Sequence, residues 1–303
     1  MDKTKKQLIT YAIVTFALTW ACEFGLVWPA AKGESLYGVP SAATQVLVVC
    51  AMFFPTLGML LTRLITREGF KDMLLRPRFK GHGKEYLLAY FGPAVLAILG
   101  AALYFLVFPG KLDLSSGYMR SAMEASGIPY EAQALPMETI LAIQIAQGLL
   151  LPGAVNLIPA LGEEWGWRGY MMPRLLKVTT PGKALLLGGL IWGLWHAPLT
   201  ALGHNYGLGY PGFPWTGIAA MCVFCIAVGV LLTWLTERTG SVIPAAVAHG
   251  AVNGAGALGM LFTADGGDPF IGPSFIGIVG GLPLLALAVI AARQIIKRKT
   301  TEE

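Results

Sequence analysis

Charge is what this 303-residue sequence has least of: Asp, Glu, Lys and Arg make up 13% of it, about half the share of a soluble domain, while 55% of its residues are hydrophobic. With a mean hydropathy of +0.63 there are too few polar side chains to cover a globular surface, which excludes an ordinary soluble fold. No long polar block interrupts the apolar runs, so the expectation is a single integral-membrane domain over residues 1–303. Cysteine is scarce as well. Cys22, Cys50, Cys222 and Cys225 all fall inside apolar runs, where a disulfide framework or a zinc knuckle does not form, so Cys222-x-x-Cys225 reads as small apolar helix filler.

What is present is a series of hydrophobic stretches. A spanning helix needs about 20 mostly apolar residues. By that rule eight spans are expected, over 8–28, 41–62, 85–108, 138–160, 184–203, 215–236, 242–262 and 271–292. The first follows the basic start "MDKTKK" but is too long for the apolar part of a signal peptide, so it is expected to remain as a helix. Gly and Pro within several spans predict kinks. Of the 22 Lys and Arg residues, all but Lys32, Lys111 and Arg120 fall on one side of such an arrangement. By the positive-inside rule both termini are then cytoplasmic. The net charge of +5 is thereby a topology signal and an attraction to anionic headgroups, and calls for membrane lipids rather than nucleic acid as partner.

Against this background the stretch "LGEEWGWRGY" (161–170) stands out. The expected topology puts Glu163, Glu164 and Arg168 at the cytoplasmic end of the fourth span, opening an interfacial helix "EEWGWRGYMMPRLLKV" whose acids suit the helix dipole and whose Trp, Tyr, Arg and Lys suit the headgroup region. The spacing divides the two acids. Glu164 and Arg168 are i and i+4 and can pair, whereas Glu163 is rotated by about 100° and lacks that partner, which leaves it available as a general base.

Further polar groups lie in the fifth span, with His196 in "GGLIWGLWHAPL", and in the seventh, where His249 and Asn253 share a helix face in "AAVAHGAVNGAGALG". Each histidine alone also fits a buried ring satisfied by a backbone carbonyl. Polar side chains in lipid-embedded helices are costly, however, and face a bundle interior or a wet cavity. Three such sites in separate helices point to one shared cavity. His196 lies deep along its helix while Glu163 is expected near the surface, so a water-filled cavity opening to the cytoplasm is expected to join them. His82, in a basic loop, and His204, just beyond the fifth span, are set aside.

Taken in order, E-E-x-x-x-R (Glu163, Glu164, Arg168), an aromatic-x-x-x-H (Trp192 to His196) and H-x-x-x-N (His249 to Asn253) resemble the CAAX protease and bacteriocin-processing enzyme family of intramembrane peptidases, related to the Ras-converting prenyl-protein endoprotease. The resemblance covers about 138–260, and Trp192 stands where the family motif is usually written with Phe. It implies that Glu163 activates a water, helped by His196, that His249 and Asn253 stabilise the oxyanion, and that Glu164 and Arg168 brace the helix. No cofactor is favoured. A zinc site on Glu163, His196 and His249 stays open, since His₂Glu sets hold catalytic zinc. The implied substrate is a hydrophobic or lipidated peptide or protein, in a bacterial cell membrane. Two other classes remain: a catalytically silent scaffold or immunity-type binding protein, and a small-solute or proton-coupled transporter, which would spread polar residues over the full membrane depth.

Overall fold

The computed structural model describes residues 2–302 apart from 32–35, 37–40, 126 and 128–132; Lys32, counted above as an outer charge, lies outside the described residues. The chain forms α1 (Lys3–Ala31), α2 (Ala42–Thr66), α3 (Gly83–Val107), the short α4 (Gly117–Ala125), α5 (Met137–Leu150), α6 (Leu157–Gly166) and α7 (Met172–Val178) joined by a π-turn, α8 (Pro181–Trp195), α9 (Trp215–Thr239), α10 (Ile243–Ala255) and α11 (Leu282–Glu302). No strand occurs among the described residues. α1, α2, α3, α9 and the run Ile243–Phe262 that begins with α10 are long and apolar enough to cross a membrane. The architecture is a polytopic membrane helix bundle.

Several of the eight expected spans are not continuous helices over their expected bounds. The fourth breaks at Leu151 and Asn156, around Pro152, and the fifth ends at His196, two residues before Pro198. Proline lacks the N–H that continues a helical ladder, so each break falls where the chain cannot hold its rungs. The eighth helix starts at Leu282 rather than 271, because "GPSFIGIVGG" is too rich in glycine to stay helical and folds into turns.

The interfacial helix is not found. Residues from Ala160 to Met172 are buried almost without exception, Glu163, Glu164, Trp167, Arg168 and Tyr170 among them. The Trp, Tyr and Arg side chains that read as headgroup anchors instead serve the protein interior. Arg168 therefore drops out of the charges counted toward the expected cytoplasmic side.

Glycines explain how the helices carrying the polar groups pack so closely. They recur at i and i+4 on three helices: Gly162 and Gly166 on α6, Gly189 and Gly193 on α8, Gly250 and Gly254 on α10. A Cβ on Gly166 would meet the Pro55 carbonyl carbon at 2.5 Å, one on Gly193 the Cα of Cys222 at 2.5 Å, and one on Gly250 the Asn156 carbonyl carbon at 3.1 Å. Small residues at this spacing let helix backbones touch, which is the main source of association where lipid is as apolar as leucine. Kinks were expected of these glycines; they supply close crossings instead.

The two ends of the bundle are chemically distinct. At one, Glu68 gathers Gln7 Nε2 (3.0 Å), Tyr170 Oη (2.5 Å), Thr66 Oγ1 (2.9 Å) and the Arg174 guanidinium, while Arg238 bonds Glu85 (3.1 Å) and the Arg298 guanidinium donates to the Glu237 carbonyl (3.0 Å). Burial would raise the Glu68 carboxyl, but the donors Tyr170, Thr66 and Arg174 outweigh it and hold the group below the usual carboxylate range. At the other end Leu36 N–H bonds the Leu202 carbonyl (2.7 Å), Asp113 N–H that of Phe262 (2.9 Å), and Tyr206 Oη that of Ile276 (3.4 Å). Nearly all the Lys and Arg residues belong to the first end.

Candidate active site

The depth conflict between Glu163 and His196 disappears once α6, α7 and α8 are seen as a hairpin. Glu163 lies 16 residues before Thr179 and His196 lies 16 residues after Thr180. At ~1.5 Å per residue both stand about 24 Å from that turn, level with each other. The contact between them is direct: Trp192, one helical turn before His196, donates its indole N–H to Glu163 Oε2 at 2.8 Å. Trp167, four residues after Glu163, adds a longer bond of 3.4 Å to the same oxygen. Oε1 receives no donor from the described residues, and Glu163 lines a cavity, so Oε1 is the atom an incoming water meets.

Glu164 faces the other way. Arg168 donates to its Oε1 at 3.0 Å, as the i, i+4 spacing predicts, and His249 Nδ1 stands 2.8 Å from the same oxygen. The Arg168 guanidinium also lies 4.2 Å from the Trp192 ring centroid, a cation-π contact that fixes the wall carrying the Glu163 donor. Arg168, Glu164 and His249 are each at most 4% exposed, so the three form one buried charge network.

Hydrogen-bond partners place a proton on Nδ1 of both histidines and distinguish them by what is left for Nε2. His196 Nδ1 is 2.9 Å from the Trp192 carbonyl, which can only accept, so Nδ1 carries the proton and Nε2 is left with its lone pair. The carbonyl-satisfied histidine foreseen from the sequence is thus real for one nitrogen and leaves the other free. His249 donates from Nδ1 to the Glu164 carboxylate, and a bond donated from its Nε2 needs both ring nitrogens protonated, for which Glu164 supplies the counter-charge.

Glu163, His196, His249 and Asn253 all line one cavity of about 270 Å³, closed in by Trp192, Trp195 and Phe224. The structure therefore brings together every residue singled out as catalytic, with Glu164 and Arg168 directly behind them. His82 stays apart, 3.8 Å from Glu85 at the basic end. His204 does not: its ring stacks on His196 with centroids 6.2 Å apart and planes 2° from parallel, and with Asn205 it forms cavity wall. Nothing local marks these two residues. Only the turn Ala197–Tyr206, folded back beneath α8, brings them in, and a second histidine eight residues past His196 was the one available signal. Cys225 also touches the site, its Sγ 3.8 Å from His196 Nδ1, and the four cysteines are free.

The zinc alternative fares worse. Among the described residues no three His, Cys, Asp or Glu side chains come close enough together to hold a metal ion. One oxygen of Glu163 is also occupied by two indole donors. The donor set does not fit a zinc ion in this arrangement, and no step is derived through one.

Residues 145–255 match the family model described as type II CAAX prenyl endopeptidase Rce1-like. The chain is 33% identical over 101 residues to a protein named CAAX prenyl protease 2 from Methanococcus maripaludis, an alignment that covers 32% of this chain and 36% of that one. The chain thus aligns with about a third of that relative's length. Every residue of the three motifs falls inside the matched segment, which bears out the resemblance they carry.

Proposed function

We propose that the chain is an intramembrane endopeptidase that hydrolyses a peptide bond in a membrane-associated or hydrophobic peptide or protein. The observation that carries this reading is the Glu163 carboxylate, oriented by indole donors and open on its second oxygen, in the same cavity as His196, bonded through Nδ1 to a backbone carbonyl, and His249, bonded through Nδ1 to Glu164. Water held between Glu163 Oε1 and His196 Nε2 gives a proton to Glu163 as its oxygen adds to the scissile carbonyl carbon. The negative charge that moves to the carbonyl oxygen is met by His249 Nε2–H and the Asn253 amide. Glu163 then returns the proton to the departing amine nitrogen. Donors preset in a site closed to bulk water stabilise such an oxyanion far more than they would in solution.

Both termini lie on the cytoplasmic side in this reading, and residues 1–303 act as one membrane domain around the 138–260 core. The test is cleavage of quenched fluorogenic peptides, lipidated ones included, by detergent-purified protein and by Glu163→Ala, with metal content measured on the same preparation. The variant is expected to lose activity by about a thousandfold, the upper range for losing one key group of such a site. Equal cleavage by both proteins would make Glu163 structural and the mechanism wrong.

A further inference from the structure

Two adjoining cavities lie apart from the one that holds Glu163. The first, about 170 Å³, is a groove where α3, α9, α10 and α11 meet, and Val252 is the one residue it shares with the Glu163 cavity. Of the described residues in its wall, all but Gln294 are apolar. The second, about 650 Å³, is walled by Arg238, Lys297, Arg298 and Lys299 together with one acid, Glu237, and it shares Trp234 and Gln294 with the groove. The indole N–H of Trp234 donates to Gln294 Oε1 at 2.8 Å, so this pair marks the border between the two. The helices repeat that border in their sequences. On α11, Leu284, Leu287 and Ala291 line the groove, Gln294 the border, and Arg298 and Thr301 the basic chamber, a 3-4-3-4-3 spacing that keeps all six on one helix face. On α9, Val228, Leu231 and Leu235 lead by the same spacing to Arg238. At ~1.5 Å per residue the stretch from Leu284 to Gln294 is about 15 Å long, half the ~30 Å hydrocarbon thickness of a bilayer. The groove is therefore one leaflet deep and ends in cations, with a tryptophan at the level where aromatic side chains meet headgroups. The protein does not cancel that charge itself. Lys299 pairs with Glu237 at 2.5 Å and Arg238 with Glu85 at 3.1 Å, but four cations stand against these two carboxylates.

We infer that the two cavities together are a binding site for one anionic phospholipid, with an acyl chain in the groove and the phosphate in the basic chamber. A zwitterionic lipid fills the groove equally well but brings no net charge to the cations. A soluble phosphate suits the chamber but leaves the groove unfilled. A molecule with an apolar chain about one leaflet long and an anion at its end satisfies both. Its chain packs on Ala248 and Val252 of α10, the helix that also carries His249 and Asn253.

Native mass spectrometry of the detergent-purified full chain tests this by binding alone, so the outcome does not depend on the peptidase reading. The probes are phosphatidylglycerol and phosphatidylcholine with identical acyl chains. The wild type is expected to retain one phosphatidylglycerol and to prefer it over phosphatidylcholine by at least about tenfold. Gly92→Leu fills the groove: a Cβ at Gly92 meets nothing within 4 Å, so the leucine projects into open space, and retention of both lipids should fall. Lys297→Gln combined with Arg298→Gln leaves the groove intact and should weaken phosphatidylglycerol binding by about 30-fold, at about fivefold per cation near a membrane surface, with phosphatidylcholine unchanged. The two variants act at opposite ends of the site, so if one fails to fold the other still decides. Equal retention of the two lipids by the wild type, or wild-type phosphatidylglycerol binding in either folded variant, would overturn the assignment. Displacement of the lipid by millimolar glycerol phosphate would give the chamber to a soluble anion, and displacement by an uncharged farnesylated peptide would give the groove to a substrate tail; either result overturns it as well.

Discussion

Trp192 is the residue at which the motif departs from the phenylalanine usual in the family it resembles, and the structure gives the indole a bond whose effect can be measured. Its indole N–H donates to Glu163 Oε2 at 2.8 Å, whereas the second donor, Trp167, is at 3.4 Å and marginal. Trp192→Phe keeps the aromatic ring under Arg168 and removes the donor. A hydrogen bond to a charged group contributes about 1.5–3 kcal/mol, and at about 1.4 kcal/mol per tenfold the variant is expected to lose about 10- to 150-fold in kcat if the bond holds Glu163 in its working position. KM should change far less than kcat, because the aromatic ring that walls the cavity is kept and the bond to Glu163 Oε2 is what is lost. The Arg168–ring contact at 4.2 Å should survive, so Tm should fall far less than in Trp192→Ala, which strips the wall from the charge network. The assay is steady-state cleavage beside thermal unfolding of all three proteins. Wild-type kcat in Trp192→Phe would refute the claim that this bond positions the base; a fall in kcat matched by an equal collapse in Tm would reassign the effect to packing.

The remaining predictions concern other parts of the structure. His249→Ala and Asn253→Ala should each lower kcat by about 10²- to 10³-fold as lost oxyanion donors, while His249→Ala also lowers Tm by leaving Glu164 short of a partner, an added cost that Asn253→Ala does not share. Activity should persist after exhaustive chelation, since no three-residue donor group assembles among the described residues; loss on chelation with recovery on adding zinc would show that the site rearranges around a metal. Glu68 titrates below the usual carboxylate range when folded, so its stabilisation is fully present above the unfolded value and is lost as pH falls through the folded one. Tm of the wild type should therefore drop more steeply below about pH 4.5 than that of Glu68→Gln, and parallel curves would contradict this. Gly193→Leu should destabilise by at least about 1–3 kcal/mol, the usual cost of overpacking, because Cys222 backbone rather than a flexible side chain blocks the added carbon; an unchanged Tm would mean that α8 and α9 are not locked at that crossing.

The parts of this site legible from sequence are those governed by a single helix. Glu164 with Arg168, and His249 with Asn253, follow from i, i+4 spacing, which any helix imposes before tertiary structure is known. The placement of residues 161–178 was not legible for the same reason: Trp165, Trp167, Arg168 and Tyr170 make the same local pattern whether they anchor a headgroup region or fill a core. What decides is a set of long-range partners. Trp165 donates to the Met73 carbonyl at 3.0 Å, Arg168 rests on Trp192, and Tyr170 reaches Glu68. His204 was lost because the break at His196 turns the chain back on itself, so distance along the sequence overstated distance in space. Spans 138–160 and 184–203 passed the apolar-length rule although Pro152 and Pro198 sit inside them, a local signal that length alone overlooks.

Two adjacent carboxylates in the middle of a membrane bundle pose an energetic problem that the chain resolves unequally. An unpaired buried charge costs several kcal/mol, so both acids need compensation, yet a carboxylate bound to a cation is a poor proton acceptor. Glu164 takes both cationic partners, Arg168 and His249, on one oxygen. Glu163 is held only by neutral indole donors, which fix its direction without neutralising it. A helix makes this division unavoidable, because neighbouring residues point about 100° apart and one face cannot serve both. The π-turn Trp167–Met171 begins immediately beyond the pair, and the backbone N–H of Trp167 reaches the carbonyls of both acids, so the same turn that carries the Glu163 donor also presents Arg168 to Glu164. Exchanging the two roles would need a cation hydrogen-bonded to Glu163, whose Oε2 takes the indole donors instead. In the proposed mechanism the doublet is one brace and one base, and it is the surroundings of each acid, not its identity, that tell them apart.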